Sequence, residues 1–333
     1  MPQETLTLLT GATGFVGSAV ARALTAHRHR LRVLVRPTSD RRNLAGPDAE
    51  PVIGDLIDHA SLARAAEGCR YVFHVAADYR IWVPDPAAML RANVDGTVAM
   101  LRAAQSAGAE RIVYCSSVAA LGQTADGSPA DETTPVDPAA IVSPYKRSKY
   151  QAEQAVLDLA RQGMPVIIVN PAAPVGPRDI KPTPTGRMVL DAAAGRTPAY
   201  VDTGLNVVHV DDVAEGHVLA LERGGPGERY ILGGENLTLR DLLTLIAEVA
   251  GKRPPSIRLP LEAVWPVAFG MEMLARFTSF EPRVTRDHLR MARKKMFFSS
   301  AKAMRELGYA PRPARQAVQD AVAWFRANRM LRA

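Results

Sequence analysis

TLTLLTGATGFVG, residues 5–17, decides the fold. A short run of strand-forming residues meets Gly11, Gly14 and Gly17 at GxxGxxG spacing, and residues 15–27 then read as an amphipathic helix. Glycines at such a junction permit the tight turn, let main-chain N–H groups approach a pyrophosphate, and let the helix pack against the strand, while its positive N-terminus attracts the anion. Gly11, Thr13, Gly14, Phe15, Val16 and Gly17 are therefore the expected phosphate-side contacts. Further β-rich runs follow at LRVLVR (31–36), RYVFHV (70–75), RIVYCS (111–116) and PVIIVN (165–170). They alternate with candidate helices over 59–67, 86–108 and 145–162. This alternation predicts βαβ units with right-handed crossovers, and hence an α/β doubly wound parallel sheet buried on both faces.

The chain has 333 residues, 47% hydrophobic and 23% charged, which is too apolar for a disordered protein and long enough for one large domain with an appendage. After Asn170 the texture changes, and NPAAPVGPRDIKPTPTG (170–186) holds five prolines. Residues 1–170 are predicted to form a Rossmann-type domain, with NVVHV (206–210) and RYIL (229–232) returning to it as edge strands from about 205–235. Residues 171–333 are predicted to form a smaller, loop-rich substrate lobe interleaved with the first. The net charge of +7 comes from scattered residues, mostly arginines, which favours an anionic ligand weakly and nucleic acid hardly at all. Cys69 and Cys115 are too few for a disulfide framework or a CxxC metal site, so no metal and a reducing compartment are expected. The opening MPQETLTLLTGATG carries no secretory pattern and no apolar run reaches the length of a membrane span, so the expectation is a cytoplasmic protein.

In the dinucleotide version of this fold the end of the second strand selects the cofactor: an acidic residue binds a free ribose 2′-hydroxyl, and Arg accommodates a 2′-phosphate. Here that position is Arg36, with Arg41 and Arg42 close behind and no carboxylate before Asp40. NADP is therefore expected over NAD. Asp55 and Leu56, in GDL after the third strand, are placed to meet the adenine, and Ala76 and Ala77 after the fourth leave room for the nicotinamide-side ribose.

Tyr145 and Lys149 stand four apart at the start of a predicted helix, on one face. A phenol with a pKa near 10 is a poor acid–base group at neutral pH, and lowering it to about 7 takes roughly 4 kcal/mol. The Lys149 ammonium and a positive nicotinamide ring in a partly dry cleft are the expected source. Ser116 and Ser117 follow the fifth strand at the carboxyl edge, where a hydroxyl can bond a substrate carbonyl or carbinol oxygen.

These segments, with HVAA (74–77), NVDGT (93–97), VAALG (118–122), YKRSK (145–149), NPAAPVGPRD (170–179) and VHVDDVA (208–214), resemble the extended short-chain dehydrogenase/reductase, or NAD-dependent epimerase/dehydratase, family over nearly the whole chain. RVLVRPTSDRRNLAG, HVAADYRIW and PVGPRDIKPTPTGRMV resemble its dihydroflavonol-4-reductase-like branch, and specifically the hopanoid-associated sugar epimerases. The resemblance implies Tyr145 as proton donor or acceptor, Lys149 binding the nicotinamide ribose and lowering the Tyr pKa, and Ser117, five residues before Gly122, orienting the substrate oxygen. It also implies that Asn93 supports the cofactor side, that Pro171 to Val175 flank the nicotinamide, and that the protein is a homodimer built on helices such as 86–108 and 145–162.

Nucleotide-sugar epimerases usually carry an acidic residue where this chain has Arg36, and return the hydride to the same substrate. Arg36 better suits an enzyme that draws on NADPH and releases its product. The reading is an NADP(H)-dependent reductase or dehydrogenase acting on a carbonyl or carbinol carbon of a small molecule: a sugar, a sugar on a polycyclic lipid in hopanoid metabolism, or another hydroxy-ketone. An epimerase with recycled NAD(P) is the alternative. An NADP-binding regulator without turnover is a second alternative, and an intact Ser, Tyr and Lys set speaks against it.

Arg178, Arg196, His209 and the loop 181–187 are expected to line the substrate pocket, although His209 reads as a packed strand residue and Asp211 and Asp212 as helix N-caps. LEAVWPVAFGMEMLARF (261–277) is apolar almost all round. It reads as a helix kinked at Pro266 and packed inside the second lobe, with Arg283, Arg286, Arg290, Arg293, Lys294 and Lys295 on a solvated helix beyond. The competing expectation is an apolar lid whose basic neighbour gives weak, peripheral membrane association.

Overall fold

The strand Leu6–Thr10 (β1) occupies the middle of a seven-stranded parallel sheet in the computed structural model, which describes residues 5–80, 85–141, 143–277 and 285–331. On one side of it lie β2 (Arg30–Val35) and β3 (Ala49–Ile53). On the other lie β4 (Tyr71–His74), β5 (Arg111–Cys115) and β6 (Val166–Pro171). Chain order places β7 (Ala173–Val175), β8 (Ala199–Tyr200) and β9 (Gly204–His209) before β10 (Arg229–Leu232), which returns to pair with β6 at the far edge. The resulting order β10-β6-β5-β4-β1-β2-β3 reverses direction at β1, so a crevice opens at the carboxyl ends of β1 and β4, where open α/β sheets bind ligands.

Side chains alternate along each strand, and the two sets feed two different cores. Leu9, Val33, Phe73, Val113 and Val169 pack under α1 (Phe15–Ala26), whereas Leu8, Val72, Ile112, Tyr114 and Ile168 pack under α2 (His59–Ala66). The helix expected over 86–108 is divided into α3 (Pro86–Leu90), a π turn (Arg91–Asp95) and α4 (Gly96–Ser106). A π turn inserts one residue into a helix, and with only five residues in α3 before it the resulting phase shift does not show in the apolar pattern. Gly96 closes that turn because a methyl group there would stand 2.9 Å from the Leu56 Cβ. Then come α5 (Pro144–Arg161), α6 (Pro184–Ala193) and α7 (Val210–Arg223), and α7 joins α1 on its face of the sheet.

Of the two segments expected as edge strands, only 229–232 joins the main sheet. Residues 206–209 instead end β9, which belongs to a separate three-stranded sheet between β7 and the antiparallel β11 (Glu235–Thr238), and Val210 begins α7. The Gly233–Gly234 turn makes this pairing possible, since a methyl group on Gly234 would meet the Val207 carbonyl oxygen at 2.4 Å. Under that sheet Val189, Leu242, Ile246, Val318 and Phe325 form a third core with α6, α8 (Leu239–Ala250) and, after α9 (Leu261–Phe277), α10 (Arg286–Ala292) and α11 (Ala301–Leu307), the terminal α12 (Ala314–Ala327). The small β12 (Ile257–Arg258) pairs with β8.

The segment expected to pack inside the second lobe does not do so. In α9, Val267, Phe269 and Leu274 are 57%, 50% and 52% exposed while Glu272 is buried. Arg283 of the basic stretch lies outside the described residues, as does the Phe277 side chain. No helix among the described residues is long and apolar enough to cross a membrane.

Candidate active site

The glycine loop supplies a cradle for an anion. Gly11 has φ +77°, and a methyl group on it would stand 2.7 Å from the Ala76 nitrogen, so only glycine brings β1 this close to the end of β4. On Gly17 a methyl group would meet the Gly11 carbonyl oxygen at 2.1 Å. Gly14 is the α1 N-cap and offers no side chain to the first turn. The N–H groups of Phe15, Val16 and Gly17 have no carbonyl one turn earlier within the helix, and with the helix dipole they form a site for a pyrophosphate. The Phe15 ring itself is in the core, so any contact it makes there is through its backbone. Behind the loop, Asn43 Nδ2 donates to the Thr13 carbonyl (3.3 Å), and Arg22 reaches both Ser18 Oγ (3.0 Å) and the Asn43 carbonyl (3.4 Å). Neither Asn43 nor Arg22 stood out in the sequence, because each acts through a neighbouring element.

A buried relay connects this cradle to α5. Thr10 Oγ1 accepts from the N–H groups of Val75 (3.2 Å) and Ala76 (3.1 Å), so its own hydrogen goes to His74 Nδ1 (2.8 Å). Thr97 Oγ1 donates to the Asn93 carbonyl (2.7 Å) and hence accepts from His74 Nε2 (3.0 Å). This network assigns the neutral Nε2–H tautomer to His74. Burial, with the Lys149 charge adding to it, takes the His74 pKa down to about 3. The Asn93 side chain, in the π turn, accepts from the Asp78 N–H (2.7 Å) and donates to the Asp78 carbonyl (2.8 Å) and Ser148 Oγ (2.9 Å). One buried amide thus fixes both the loop after Ala76 and Ala77 and the helix that carries Tyr145 and Lys149.

Lys149 is buried, and its Nζ donates to the Cys115 carbonyl at 3.0 Å. Ser117 lies close enough to the Tyr145 phenol to draw its pKa down, while its Oγ accepts from Ala119 N at 3.1 Å. Ser116, by contrast, is buried with its hydroxyl unpartnered. Asn170, at the end of β6, donates from Nδ2 to the Ser117 carbonyl (3.1 Å) and to the buried Glu153 carboxylate (2.6 Å), which also pairs with Arg229 (3.2 Å). Asn170 and Glu153 lie one strand and one helical turn from the expected residues, and no short-range pattern links them. The expected lowering of the Tyr145 pKa is not a property of the polypeptide alone. Burial pushes that phenol up and Ser117 only opposes it, while burial pushes Lys149 down.

At the other end of the crevice Arg36 is exposed just after β2. Asp40, the nearest carboxylate in sequence, is held by Arg42 through bonds of 2.6–3.1 Å that take its pKa down to about 2. Asp55 is half-buried, and its main chain is tied to Ser61 Oγ by two bonds of 3.2 Å. Leu56 lies beside Gly96.

The family model for the NAD dependent epimerase/dehydratase family matches residues 7–233, which span the glycine loop, the relay and α5. The chain belongs to that family. A putative dihydroflavonol 4-reductase of Synechocystis is 43% identical over 95% of this chain and 93% of its own. Sterol demethylase protein B of Methylococcus capsulatus is 36% identical over 98% and 99%. The crystal structure of gox2253 is 61% identical with a TM-score of 0.89, covering 99% of this chain and all of that one. As an epimerase/dehydratase family member the protein is an NAD(P)-dependent enzyme, and the cradle fits that cofactor's pyrophosphate.

Within this family framework several second-lobe expectations change. His209, not Asp211 or Asp212, caps α7: its Nδ1 accepts from Asp211 N (3.0 Å) and its Nε2 meets Asp320 (3.1 Å). Asp211 and Asp212 instead occupy the first turn, where carboxylates suit the dipole, and pair with Arg178 and Arg312. Arg196 is engaged with Asp191 at the surface rather than lining a pocket. Residues 184–187 begin α6 rather than continuing a loop, because Pro184 is at its first positions and Thr183 caps it. Val175 is buried in the third core, so any contact it makes with a nicotinamide is through its backbone; Pro171 ends β6 beside Leu232. Asp179 was not anticipated: it is buried, accepts from Thr183 N (2.9 Å) and Oγ1 (2.8 Å), and burial raises its pKa to about 6.

Proposed function

We propose that the protein is an NADP(H)-dependent reductase that interconverts a carbonyl and a carbinol on an apolar, polycyclic substrate. The observation that carries the reaction type is Lys149, buried on the Cys115 carbonyl at the carboxyl edge of the sheet, on the same helix as Tyr145 and next to the glycine cradle. When bound, the nicotinamide supplies or accepts the hydride. Ser117 holds the substrate oxygen, and Tyr145 Oη gives its proton to that oxygen as the carbon is reduced. Lys149, with the Cys115 carbonyl fixing its position, carries the positive charge that stabilises the phenolate left behind and binds the ribose. Arg36 supports NADP: it is an exposed cation at the strand end, and Asp40 is already taken by Arg42. The substrate class leans on the likeness to a protein named for sterol demethylation and to one named for flavonol reduction. Cycling of a sugar carbon through the same site, with net epimerisation, is the second reading.

Purified protein assayed with NADPH and with NADH against a panel of cyclic ketones and sugars tests this. Turnover with NADPH on an apolar ketone is expected, and Tyr145→Phe should lower it roughly 100- to 10,000-fold while the cofactor still binds. A Tyr145→Phe enzyme within threefold of the parent would remove the assignment.

A further inference from the structure

The helix α9 is amphipathic in the wrong sense for water. Ala263, Val267, Gly270 and Leu274 recur at three- and four-residue spacing and form one exposed stripe, flanked by exposed Pro266 and Phe269. The opposite side packs Ala268 and Glu272. Glu272 accepts from the Arg286 backbone N (2.6 Å) and Nε (2.7 Å), so a carboxylate is turned inward while valine, phenylalanine and leucine are turned outward. Two cations of α10 lie against the edge of the stripe: the Arg286 guanidinium is 5.4 Å from the Phe269 ring centre and that of Arg290 is 5.7 Å from Trp265. Arg293, Lys294 and Lys295 follow, all exposed.

We propose that the α9–α10 pair docks the enzyme on the surface of an anionic phospholipid bilayer. An apolar stripe carrying an aromatic residue, with Arg286 and Arg290 at its edge and three further exposed cations next in the chain, matches the acyl–headgroup boundary: the stripe enters hydrocarbon to a depth of about 5–10 Å while the cations meet lipid phosphates. The Pro266 position inside the helix does not hinder interfacial seating, because only one face is buried. The docking surface stands apart from the reductase reading and is tested without turnover.

The experiment uses the full chain with vesicles of phosphatidylcholine alone and of phosphatidylcholine mixed with phosphatidylglycerol, at low and high salt. Binding is read by sedimentation, and insertion by quenching of Trp265 with brominated acyl chains, with Trp265→Phe as control. The protein should pellet with the anionic vesicles only, and less at high salt. Neutralising the three terminal cations together (Arg293→Gln, Lys294→Gln, Lys295→Gln) should weaken partition by roughly 100-fold. The pair Val267→Ser and Phe269→Ser should abolish the quenching. All five positions are exposed, and unchanged unfolding midpoints will show that the variants fold. Protein left in the supernatant at low salt, or pelleting that neither variant changes, overturns the proposal. So does a self-association equilibrium that the serine pair dissolves, which would make this face an interface between copies.

Discussion

Replacing Asn93 by Ala tests the reasoning about the site most directly, because one side chain makes three bonds to two other segments, the loop at Asp78 and α5 at Ser148. Its bonds to Asp78 N (2.7 Å), Asp78 O (2.8 Å) and Ser148 Oγ (2.9 Å) are all short, and Asn93 is 2% exposed. Each such bond contributes about 1 kcal/mol net, and a buried group left unpaired costs about 1–3 kcal/mol. Asp78 is half-buried and can recover water, whereas Ser148 is fully buried and cannot. The loss should therefore total about 3–4 kcal/mol, read as a lower urea midpoint with an unchanged slope. Asn93→Asp separates the two halves of the argument. It keeps the acceptor for Asp78 N but sets a carboxylate against the Asp78 carbonyl, so it should be no more stable than the alanine variant at neutral pH. Turnover should fall about 100-fold in both, since Ser148 also donates to the Tyr145 carbonyl (2.8 Å) and a displacement of about 1 Å at Tyr145 is enough for that loss. Parent-like unfolding of the alanine variant, or loss of stability with full turnover, would refute the view that this amide ties the cofactor loop to the catalytic helix.

Arg36→Asp should weaken NADP(H) at least tenfold and leave NAD(H) no weaker, as read by isothermal titration; tight NADH binding by the parent would overturn the role given to Arg36. Gly17→Ala drives a methyl group into the Gly11 carbonyl oxygen, so the cradle must open, and dinucleotide affinity should fall roughly 10- to 100-fold; parent affinity in a fluorescence titration would show that the cradle is not the site. The folded-state pKa values of His74 and His217, about 3 and 4, lie below the ordinary 6.5, so the unfolded chain binds more protons below pH 6.5 and stability falls as the pH drops through that window. Between pH 8 and 5 the loss should be roughly 2 kcal/mol for each histidine, measured by denaturant titration, and a flat profile would contradict their neutral burial.

The sheet was legible because each strand and its crossover are local patterns: a run of apolar residues, a glycine junction, an amphipathic helix. The residues proposed to touch a ligand, in the glycine loop and the Tyr145–Lys149 pair, stood out for the same reason. What joins them was not. Thr10, His74, Thr97, Asn93 and Ser148 come from β1, β4, α4, the π turn and α5, and only the strand order brings them together. The second lobe misled in the opposite way, because Arg178, Arg196, Asp211 and Asp212 look chemical in isolation and are consumed by ion pairs. Apolar character along 261–277 was visible, but its direction was not, since burial of Glu272 depends on Arg286 across a connection.

The electrostatics of the crevice bear on how the proposed reaction moves its proton. Burial raises the Tyr145 pKa and lowers that of Lys149, so the polypeptide alone keeps the phenol protonated and disfavours the charge of the ammonium. A protonated phenol is the form that donates to a carbonyl oxygen as it gains negative charge, and the phenolate then produced is the form that the Lys149 charge and the Ser117 hydroxyl stabilise. Oxidation of a carbinol must begin from that phenolate, and the environment opposes it until further positive charge enters the crevice. Reduction leaves the same phenolate behind, so the burial that keeps Tyr145 protonated at neutral pH also makes it a weaker acid, and proton transfer in either direction depends on the positive charge that Lys149 and the nicotinamide bring to the crevice.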